Sequence, residues 1–230
     1  MSLRAICFDF FDTLAYMAPS HLELYVSAAA ERGVSISEEL FRGVLDSAWD
    51  EWRTPTGIDH SAASGDERSF RAVRVAVHAS RLRSVGVDRG AAGAIAERVA
   101  ELEAEPRHYH LFPDAVPALD RLAGAGIESI IVSNHIWRLP QIVDALGVTL
   151  RLRAVLTSAR VGYRKPHPAI YAAALSLLDH DPSEVLFVGD SLPSDVEGPR
   201  AAGMRALLLD RRSAAEGEHT IRSLAELPLE

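Results

Sequence analysis

The chain has 230 residues, of which 48% are hydrophobic, and its 24 basic and 32 acidic residues give a formal net charge of −8. This apolar content is sufficient for the core of one large or two modest domains. The negative charge and the lack of a basic run with interleaved aromatic residues argue against a nucleic-acid partner. The sequence has no run of the roughly 18–20 apolar residues that span a membrane, no secretory segment and a single cysteine, Cys7, so we expect a cytoplasmic protein without a membrane partner.

The first predicted element is a short apolar strand over residues 5–8, which is followed directly by Asp9. Four consecutive apolar residues are typical of a strand that is buried on both faces of a parallel sheet. Such a strand would place Asp9 at the carboxyl edge of the sheet, where ligands bind in open α/β folds. Taken alone, this acid is either a turn or helix-capping residue or a reactive carboxylate.

The β pattern stops after Leu14, and residues 18–105 are predicted to be almost entirely helical. Apolar spacing and start signals predict helices over 21–32, 37–52, 66–83 and 91–105. Four helices without an intervening strand indicate a small bundle inserted into another fold. Trp49 and Trp52 have helical spacing within this bundle, which favours packing over contact with a substrate.

Strands and helices alternate again in the second half of the chain. The predicted strands are 127–132, 154–157, 185–188 and 205–209, and the predicted helices are 114–123, 139–146, 167–178 and 195–202. This alternation with continuous apolar strands indicates an α/β fold with a doubly wound, mostly parallel, Rossmann-like sheet. We therefore predict an α/β core domain from 1–16 and 107–230, and a helical domain over 17–106.

Polar residues follow several of the predicted strands or lie in adjacent loops. They are Asp9, Ser133, Asn134, Lys165, Asp190 and Asp195. Individually, each has an ordinary structural explanation, such as a surface lysine or a helix N-cap. Carboxylates, a lysine and a hydroxyl that converge at one sheet edge instead favour a site for a hard divalent cation and an anionic group.

The order of these residues resembles the haloacid dehalogenase (HAD) superfamily, subfamily I with a C1-type helical cap, over nearly the whole chain. Asp9 matches the nucleophile of the first motif, Ser133 the second motif, Lys165 the third, and Asp190 with Asp195 the fourth. The segments around them are also similar to those of the family, at 111–114, 165–168 and 189–203. The predicted bundle corresponds to the cap.

The resemblance implies Mg²⁺-dependent hydrolysis of a small phosphate monoester through an aspartyl-phosphate on Asp9. It implies that Asp9, the backbone carbonyl of Phe11 and Asp190 bind the metal ion, with Asp195 as an outer or orienting group. Catalysis would involve Asp9, Lys165 and Ser133, and the substrate would be bound by Ser133, Asn134 and Lys165. The expected partner is a small molecule, and the protein would be a monomer or homodimer.

One position departs from the pattern of the family's phosphatases. They carry a second aspartate two residues after the nucleophile as general acid and base, whereas this chain has Phe11 there and Asp12 one residue later. The loss of such a group typically costs about 10²–10⁴-fold in rate. The protein is then a slow phosphatase or one that needs a good leaving group, or Asp12 substitutes for the missing acid, or the reaction differs.

A different reaction would be that of a 2-haloacid dehalogenase, because the family's dehalogenases also lack the second aspartate. They need no metal ion, however, and differ at the fourth motif, where Asp190 here keeps the metal ligand. They also require a cap arginine, for which Arg42, Arg53 and Arg71 are candidates, although a solvated helix face explains each of these better. A catalytically weakened phosphate-binding protein is the remaining alternative.

Overall fold

The structure is a computed structural model that describes residues 2–51, 59–212 and 219–229. Its main sheet contains β1 (Ala5–Phe8), β4 (Glu128–Ser133), β5 (Ala154–Thr157), β6 (Val185–Gly189), β7 (Arg205–Leu209) and β8 (Thr220–Ile221). The strands are all parallel and run in the order β5-β4-β1-β6-β7-β8. From β1 the chain moves outward to β4 and β5, and it then returns to the other side of β1 for the remaining strands. The predicted doubly wound parallel sheet is confirmed.

The residues of β1 are fully buried because the two faces of the sheet carry separate apolar clusters. Ile6 and Phe8 point into one cluster, and Ala5 and Cys7 point into the other. Helices cover both faces, which explains the continuous apolar strands. The helices that follow the insert are α5 (Ala115–Gly124), α6 (Leu139–Ala145), α7 (Ser158–Val161), α8 (Pro168–Leu178) and α9 (Gly198–Ala201).

The helical insert lies between β2 (Ala15–Met17) and β3 (Tyr109–Leu111), which pair as an antiparallel ribbon. Its described part contains α1 (His21–Ala30), α2 (Glu38–Glu51), α3 (Glu67–Ser84) and α4 (Arg89–Glu103). Short polar caps define several of the helix starts, since the side chains of Ser20, Asp66 and Asp88 accept hydrogen bonds from backbone N–H groups of the first turn. The predicted helices of the insert are therefore present, within a few residues at each end.

The structure departs from two secondary-structure predictions. The β pattern does not stop after Leu14, because Ala15–Met17 pairs with Tyr109–Leu111 across more than 90 residues of sequence, and a three-residue strand is too short to show an alternating pattern. The helix predicted over 195–202 is only partly confirmed: a π-helical turn, Leu192–Glu197, occupies its first residues, and α9 (Gly198–Ala201) lies within the predicted range. The two-residue strand β8 was not predicted.

The insert contacts the core away from the ribbon as well. The backbone N–H of His60 donates to the carbonyl oxygen of Gly162 over 2.9 Å, and its Nε2 lies 2.7 Å from the carbonyl oxygen of Ser158. On the other side of the insert, Arg138 pairs with Glu67 of α3. The boundary of a separate helical domain at residues 17–106 stays a prediction.

Some predicted features fall outside the described part of the chain: the side chains of Trp49 and Trp52, and Arg53. Within the described ranges, no helix has both the length and the apolar character that crossing a bilayer would require.

Candidate active site

Asp9 follows β1 at the centre of the sheet edge. Phe8 pairs with Ile131 of β4 and with Val188 of β6, and the backbone N–H of Asp9 donates to the carbonyl oxygen of Val188 over 2.9 Å. The neighbouring strands end in Ser133 and Gly189, so Ser133 and Asp190 lie at the same sheet edge as Asp9 and line one cavity with it. The chain reverses its strand order around β1, and this is where open α/β sheets bind ligands.

Lys165 lies between two carboxylates. Its Nζ atom is 2.8 Å from Oδ1 of Asp9 and 2.7 Å from Oδ1 of Asp195, and the residue is only 3% exposed. The side chain of Asn134 holds the lysine loop, because its Oδ1 accepts from the backbone N–H of Lys165 and its Nδ2 donates to the carbonyl oxygen. Asn134 therefore positions Lys165 in this structure, and its predicted contact with the substrate stays a prediction.

Asp195 is buried within the π-helical turn rather than at the start of a helix. Its Oδ1 accepts a hydrogen bond from Lys165, and its Oδ2 accepts one from the backbone N–H of Ser191 over 3.0 Å. Gly189 is required beneath it, since a Cβ atom at this position would overlap the carboxylate of Asp195. A side chain at position 189 would thus displace the group that holds Lys165.

Asp9, Asp190 and Asp195 form a cluster in which one carboxylate oxygen of each lies within 4.8 Å of the others. Removal from bulk water and the charges of Asp9 and Asp195 raise the pKa of Asp190 to about 8. Burial likewise raises the pKa of Asp195 to about 6, although Lys165 opposes this rise. Three mutually repelling carboxylates that supply only oxygen atoms fit a hard cation such as Mg²⁺, which would offset their charge.

In the loop after Asp9, the ring of Phe11 packs against the insert, whereas Asp12 has an unusual backbone conformation. The ring of Phe11 packs against His21, with centroids 5.6 Å apart. Asp12 has a φ of 57°, in the left-handed region that favours glycine, and its backbone N–H donates to the carbonyl oxygen of Ala15. Its side chain lines the same cavity as Asp9, and burial raises its pKa.

A cavity of about 520 Å³ lies between this sheet edge and the insert. Besides the residues of the sheet edge, its lining includes Arg74 and Arg81 of α3, Glu103 of α4, His21 of α1 and Arg164 of the lysine loop. The cavity is therefore bounded by the Asp9 cluster and by charged residues of the insert. Its size suits a small metabolite.

Glu103 organises the insert side of the cavity. Its buried carboxylate accepts hydrogen bonds from Nε and Nη2 of Arg74, and it lies 3.3 Å from Nε2 of His21 and 3.4 Å from Nε2 of His78. Burial alone would raise the pKa of Glu103, but the charge of Arg74 and the hydrogen bonds from the histidines hold it well below its usual range. Glu103 is thus an anion that fixes Arg74 in place.

A family model for haloacid dehalogenase-like hydrolases matches residues 3–203, which contain the Asp9 cluster and the lysine loop. The chain belongs to this family. Haloacid dehalogenase-like hydrolase domain-containing protein 3 from Homo sapiens is 28% identical to this HAD-like hydrolase, over 99% of this chain and 93% of the human protein. The phosphoserine phosphatase of Thermus thermophilus is 32% identical over 76% of this chain and 67% of its own length. The ribulose-1,5-bisphosphate 5-phosphatase of Halopiger xanaduensis is 29% identical over 97% of each chain.

Solved structures share the fold of this HAD-like hydrolase over nearly its whole length. The structure of YfnB from Bacillus subtilis bound to magnesium has a TM-score of 0.75 and 18% identity, covering 98% of this chain and 97% of that one. A 2-haloacid dehalogenase from Pseudomonas syringae has a TM-score of 0.66 and 25% identity, covering 97% of this chain and 96% of that one. The likeness to YfnB, at its low identity, supports the fold alone.

The insert residues that face the cavity of this HAD-like hydrolase were not predicted from the sequence. Arg42 is exposed and Arg71 pairs with Glu97 over 2.6 Å on the surface, as expected for solvated helix faces. Arg74, one turn after Arg71, instead turns into the cavity toward Glu103.

The half-buried His135 should make the free energy of unfolding depend on pH. Its ring packs against Phe10 and Tyr109 at 5.5 Å, and burial lowers its pKa from 6.5 to about 4. Between these values the unfolded chain binds a proton that the folded chain does not, so this residue makes the free energy of unfolding increase with pH, by up to about 1.4 kcal/mol per pH unit.

We expect His135→Phe to reduce the slope of unfolding free energy against pH between pH 4 and 6.5, because one fewer proton is taken up on unfolding. Urea denaturation of both proteins across this range, in EDTA, measures the difference. Parallel curves for the variant and the wild type would contradict the assignment of a neutral, half-buried His135.

Proposed function

We propose that this HAD-like hydrolase hydrolyses a small phosphate monoester, with Asp9 as the nucleophile and Mg²⁺ as the cofactor. The observation that carries the proposal is the position of Lys165, whose ammonium group binds both Asp9 and Asp195 beside a third carboxylate, Asp190. This arrangement places a cation against the carboxylate of Asp9, next to a group of oxygen ligands. The phosphatase names of the Thermus and Halopiger relatives support the same chemistry.

In the proposed reaction, a carboxylate oxygen of Asp9 attacks phosphorus, the bond to the leaving-group oxygen breaks, and water then hydrolyses the aspartyl-phosphate. Lys165 shields the charge of Asp9 and of the transferring group, and the hydroxyl of Ser133 donates a hydrogen bond to a phosphate oxygen. Asp9, Asp190 and the carbonyl of Phe11 would hold Mg²⁺, with Asp195 orienting the site. When bound, the cation would neutralise the carboxylates and polarise the phosphoryl group.

Phe11 determines which esters should react well. Its side chain cannot transfer a proton, so the leaving-group oxygen must depart with little assistance. Esters whose leaving group is a stable anion, such as p-nitrophenolate, should therefore react faster than alkyl esters. The natural substrate is expected to be turned over slowly unless another group protonates it.

Dehalogenation of a 2-haloacid is the second candidate. Phe11 favours it, and so does the likeness to the Pseudomonas dehalogenase. Arg74 and Arg81 line the cavity and could bind a substrate carboxylate. The cluster of Asp9 with Asp190 and Asp195 argues for the phosphatase, because attack on carbon needs no metal ligands.

The test is turnover of p-nitrophenyl phosphate with Mg²⁺ and with EDTA, in parallel with halide release from 2-chloropropionate. We expect phosphate release that requires Mg²⁺ and no halide release. Halide release that persists in EDTA, without phosphate release, would identify a dehalogenase. If neither product formed, the remaining alternative would be a phosphate-binding protein, and calorimetric titration with phosphate would measure its affinity.

A further inference from the structure

The π-helical turn that carries Asp195 is held by a residue outside the Asp9 cluster. Tyr171 lies on α8, six residues after Lys165, and is fully buried. Its hydroxyl donates a hydrogen bond to the carbonyl oxygen of Ser194 over 2.6 Å. Ser194 directly precedes Asp195, whose carboxylate binds Lys165. The chain from Lys165 to Tyr171 therefore contacts two consecutive residues of the turn.

The carbonyl oxygen of Ser194 takes a side-chain donor because the turn departs from a regular helical pattern. In an α-helix this oxygen would accept from the N–H of Gly198, and in a π-helix from the N–H of residue 199. The N–H of Gly198 donates instead to the carbonyl oxygen of Pro193, and Pro199 has no N–H. The hydroxyl of Tyr171 thus supplies the hydrogen bond in place of these two backbone donors.

The packing around Tyr171 fixes the direction of its hydroxyl group. Gly198 leaves room for the hydroxyl, because a Cβ atom at this position would overlap it. The ring of Tyr171 meets the ring of Phe187 edge-on, with centroids 6.0 Å apart. The centroid of Phe187 in turn lies 5.0 Å from Nζ of Lys165. Tyr171 therefore contacts the turn directly and is separated from the lysine by one aromatic ring.

We propose that Tyr171 positions Lys165 against Asp9 by holding the π-helical turn. It acts through Asp195, and its effect on turnover rests on the proposed phosphatase function. The ammonium group of a lysine sits on a flexible four-carbon stem, so its location depends on the carboxylates that bind it. A shift of the turn would move Lys165 relative to the transferring phosphoryl group. A misplacement of about 1 Å can cost about 10²-fold in rate.

Three single variants test this role. Tyr171→Phe removes the hydroxyl and keeps the ring that packs against Phe187. Gly198→Ala disturbs the same contact from the other side, since its φ of −60° suits alanine and the added methyl group would overlap the hydroxyl. Tyr109→Phe is the matched control, because Tyr109 is also buried and its hydroxyl donates to a backbone carbonyl oxygen, that of Glu103, over 2.7 Å.

The first readout is steady-state turnover of p-nitrophenyl phosphate with Mg²⁺. We expect Tyr171→Phe to lower kcat by about 10–100-fold and to change KM by no more than about threefold, because Lys165 acts mainly on charge that develops in the transition state. Gly198→Ala should show the same pattern. The double variant should lose less than the product of the two single losses, since both substitutions disturb one contact. Tyr109→Phe should keep kcat within about twofold of the wild type.

The second readout needs neither a metal ion nor a substrate. Because the chain has one lysine, labelling with ¹³Cε-lysine reports Lys165 alone, and relaxation of this methylene group in EDTA gives its order parameter. We expect a lower order parameter in Tyr171→Phe and in Gly198→Ala than in the wild type. Tyr109→Phe should keep the value of the wild type, which a general loss of stability would not explain.

The outcomes separate this proposal from the phosphatase function. A kcat or an order parameter that stays at the wild-type value in Tyr171→Phe would overturn the role of Tyr171 and leave the phosphatase intact. Equal losses in Tyr171→Phe and Tyr109→Phe would also overturn it, because they would reflect reduced stability alone. Absence of phosphate release from the wild type would overturn the phosphatase function, and the order parameters would then decide the positioning of Lys165 by themselves.

Discussion

Replacement of Asp9 by asparagine should lower phosphate release from p-nitrophenyl phosphate by about 10⁴-fold or more. An amide is a far weaker nucleophile than a carboxylate, and the residues of a nucleophilic site act as a unit, so the other groups cannot replace it. The variant should remain folded, because Asp9→Asn removes one of three repelling carboxylates while Lys165 keeps its contact with Asp195. Single-turnover release of p-nitrophenol and thermal unfolding measure the two effects.

Asp12→Asn is the matched control for this variant. Asp12 is in the same loop and lines the same cavity, but its backbone has the left-handed conformation that favours glycine. We expect it to keep its activity toward p-nitrophenyl phosphate within about tenfold. A loss of 10²-fold or more that is confined to alkyl phosphates would show that Asp12 supplies the missing acid. Full activity in Asp9→Asn would contradict the assignment of the nucleophile.

The residues of the sheet edge could be predicted because strands and sequence order determine where they lie. Asp9, Ser133 and Asp190 stand at or just after the ends of adjacent parallel strands, so a local apolar pattern was enough to bring them together. The positions of Lys165 and Asp195 in adjacent loops placed them near this edge, but nothing in their local sequence shows that both are buried and in contact.

The insert side of the cavity could not be predicted in the same way. Arg71 and Arg74 occupy similar positions in a helix rich in arginine, and only the packing of α3 against α4 brings Arg74 to Glu103 and leaves Arg71 on the surface. The ribbon of β2 and β3 depends on the same kind of information, because each strand is short and its partner is distant in sequence. Local patterns report periodicity, whereas these features depend on tertiary contacts.

Replacement of Lys165 should lower both stability and activity strongly. In Lys165→Met the carboxylates of Asp9 and Asp195 lose the cation that lies 2.8 and 2.7 Å from them. Removing one partner of a buried ion pair typically costs about 3–5 kcal/mol of unfolding free energy, because the remaining charges stay uncompensated. Activity should fall by about 10³-fold or more, since the nucleophile and the transferring phosphoryl group lose their positive neighbour.

The stabilisation that Lys165 provides depends on pH through the same contacts with Asp9 and Asp195. Burial alone would lower the pKa of Lys165, but the charges of Asp195 and Asp9 outweigh it and raise the pKa above 10.5. The stabilisation is therefore fully present below pH 10.5 and is lost only as the pH rises through the higher value in the folded state. Because Lys165 also lowers the pKa of Asp190, which is about 8, the wild type and Lys165→Met should differ more in unfolding free energy at pH 9 than at pH 7, as measured by urea denaturation.

A single spectroscopic signal can test whether the ion pair with Asp9 and Asp195 raises the pKa of Lys165. Because the chain has one lysine, protein labelled with ¹³Cε-lysine gives one side-chain resonance, which reports Lys165 directly. We expect this resonance to keep the shift of a charged amine at pH 10.5 in the wild type and to titrate at a lower pH in Asp195→Asn, where one carboxylate is lost. Lys165→Arg is the control for charge, and it should remain inactive because a planar guanidinium group does not fit between two carboxylates that hold a compact ammonium group. A resonance that titrated at the same pH in the wild type and in Asp195→Asn would show that the carboxylate of Asp195 does not raise the pKa of Lys165. The role proposed here for the ion pair beside Asp9 would then be contradicted.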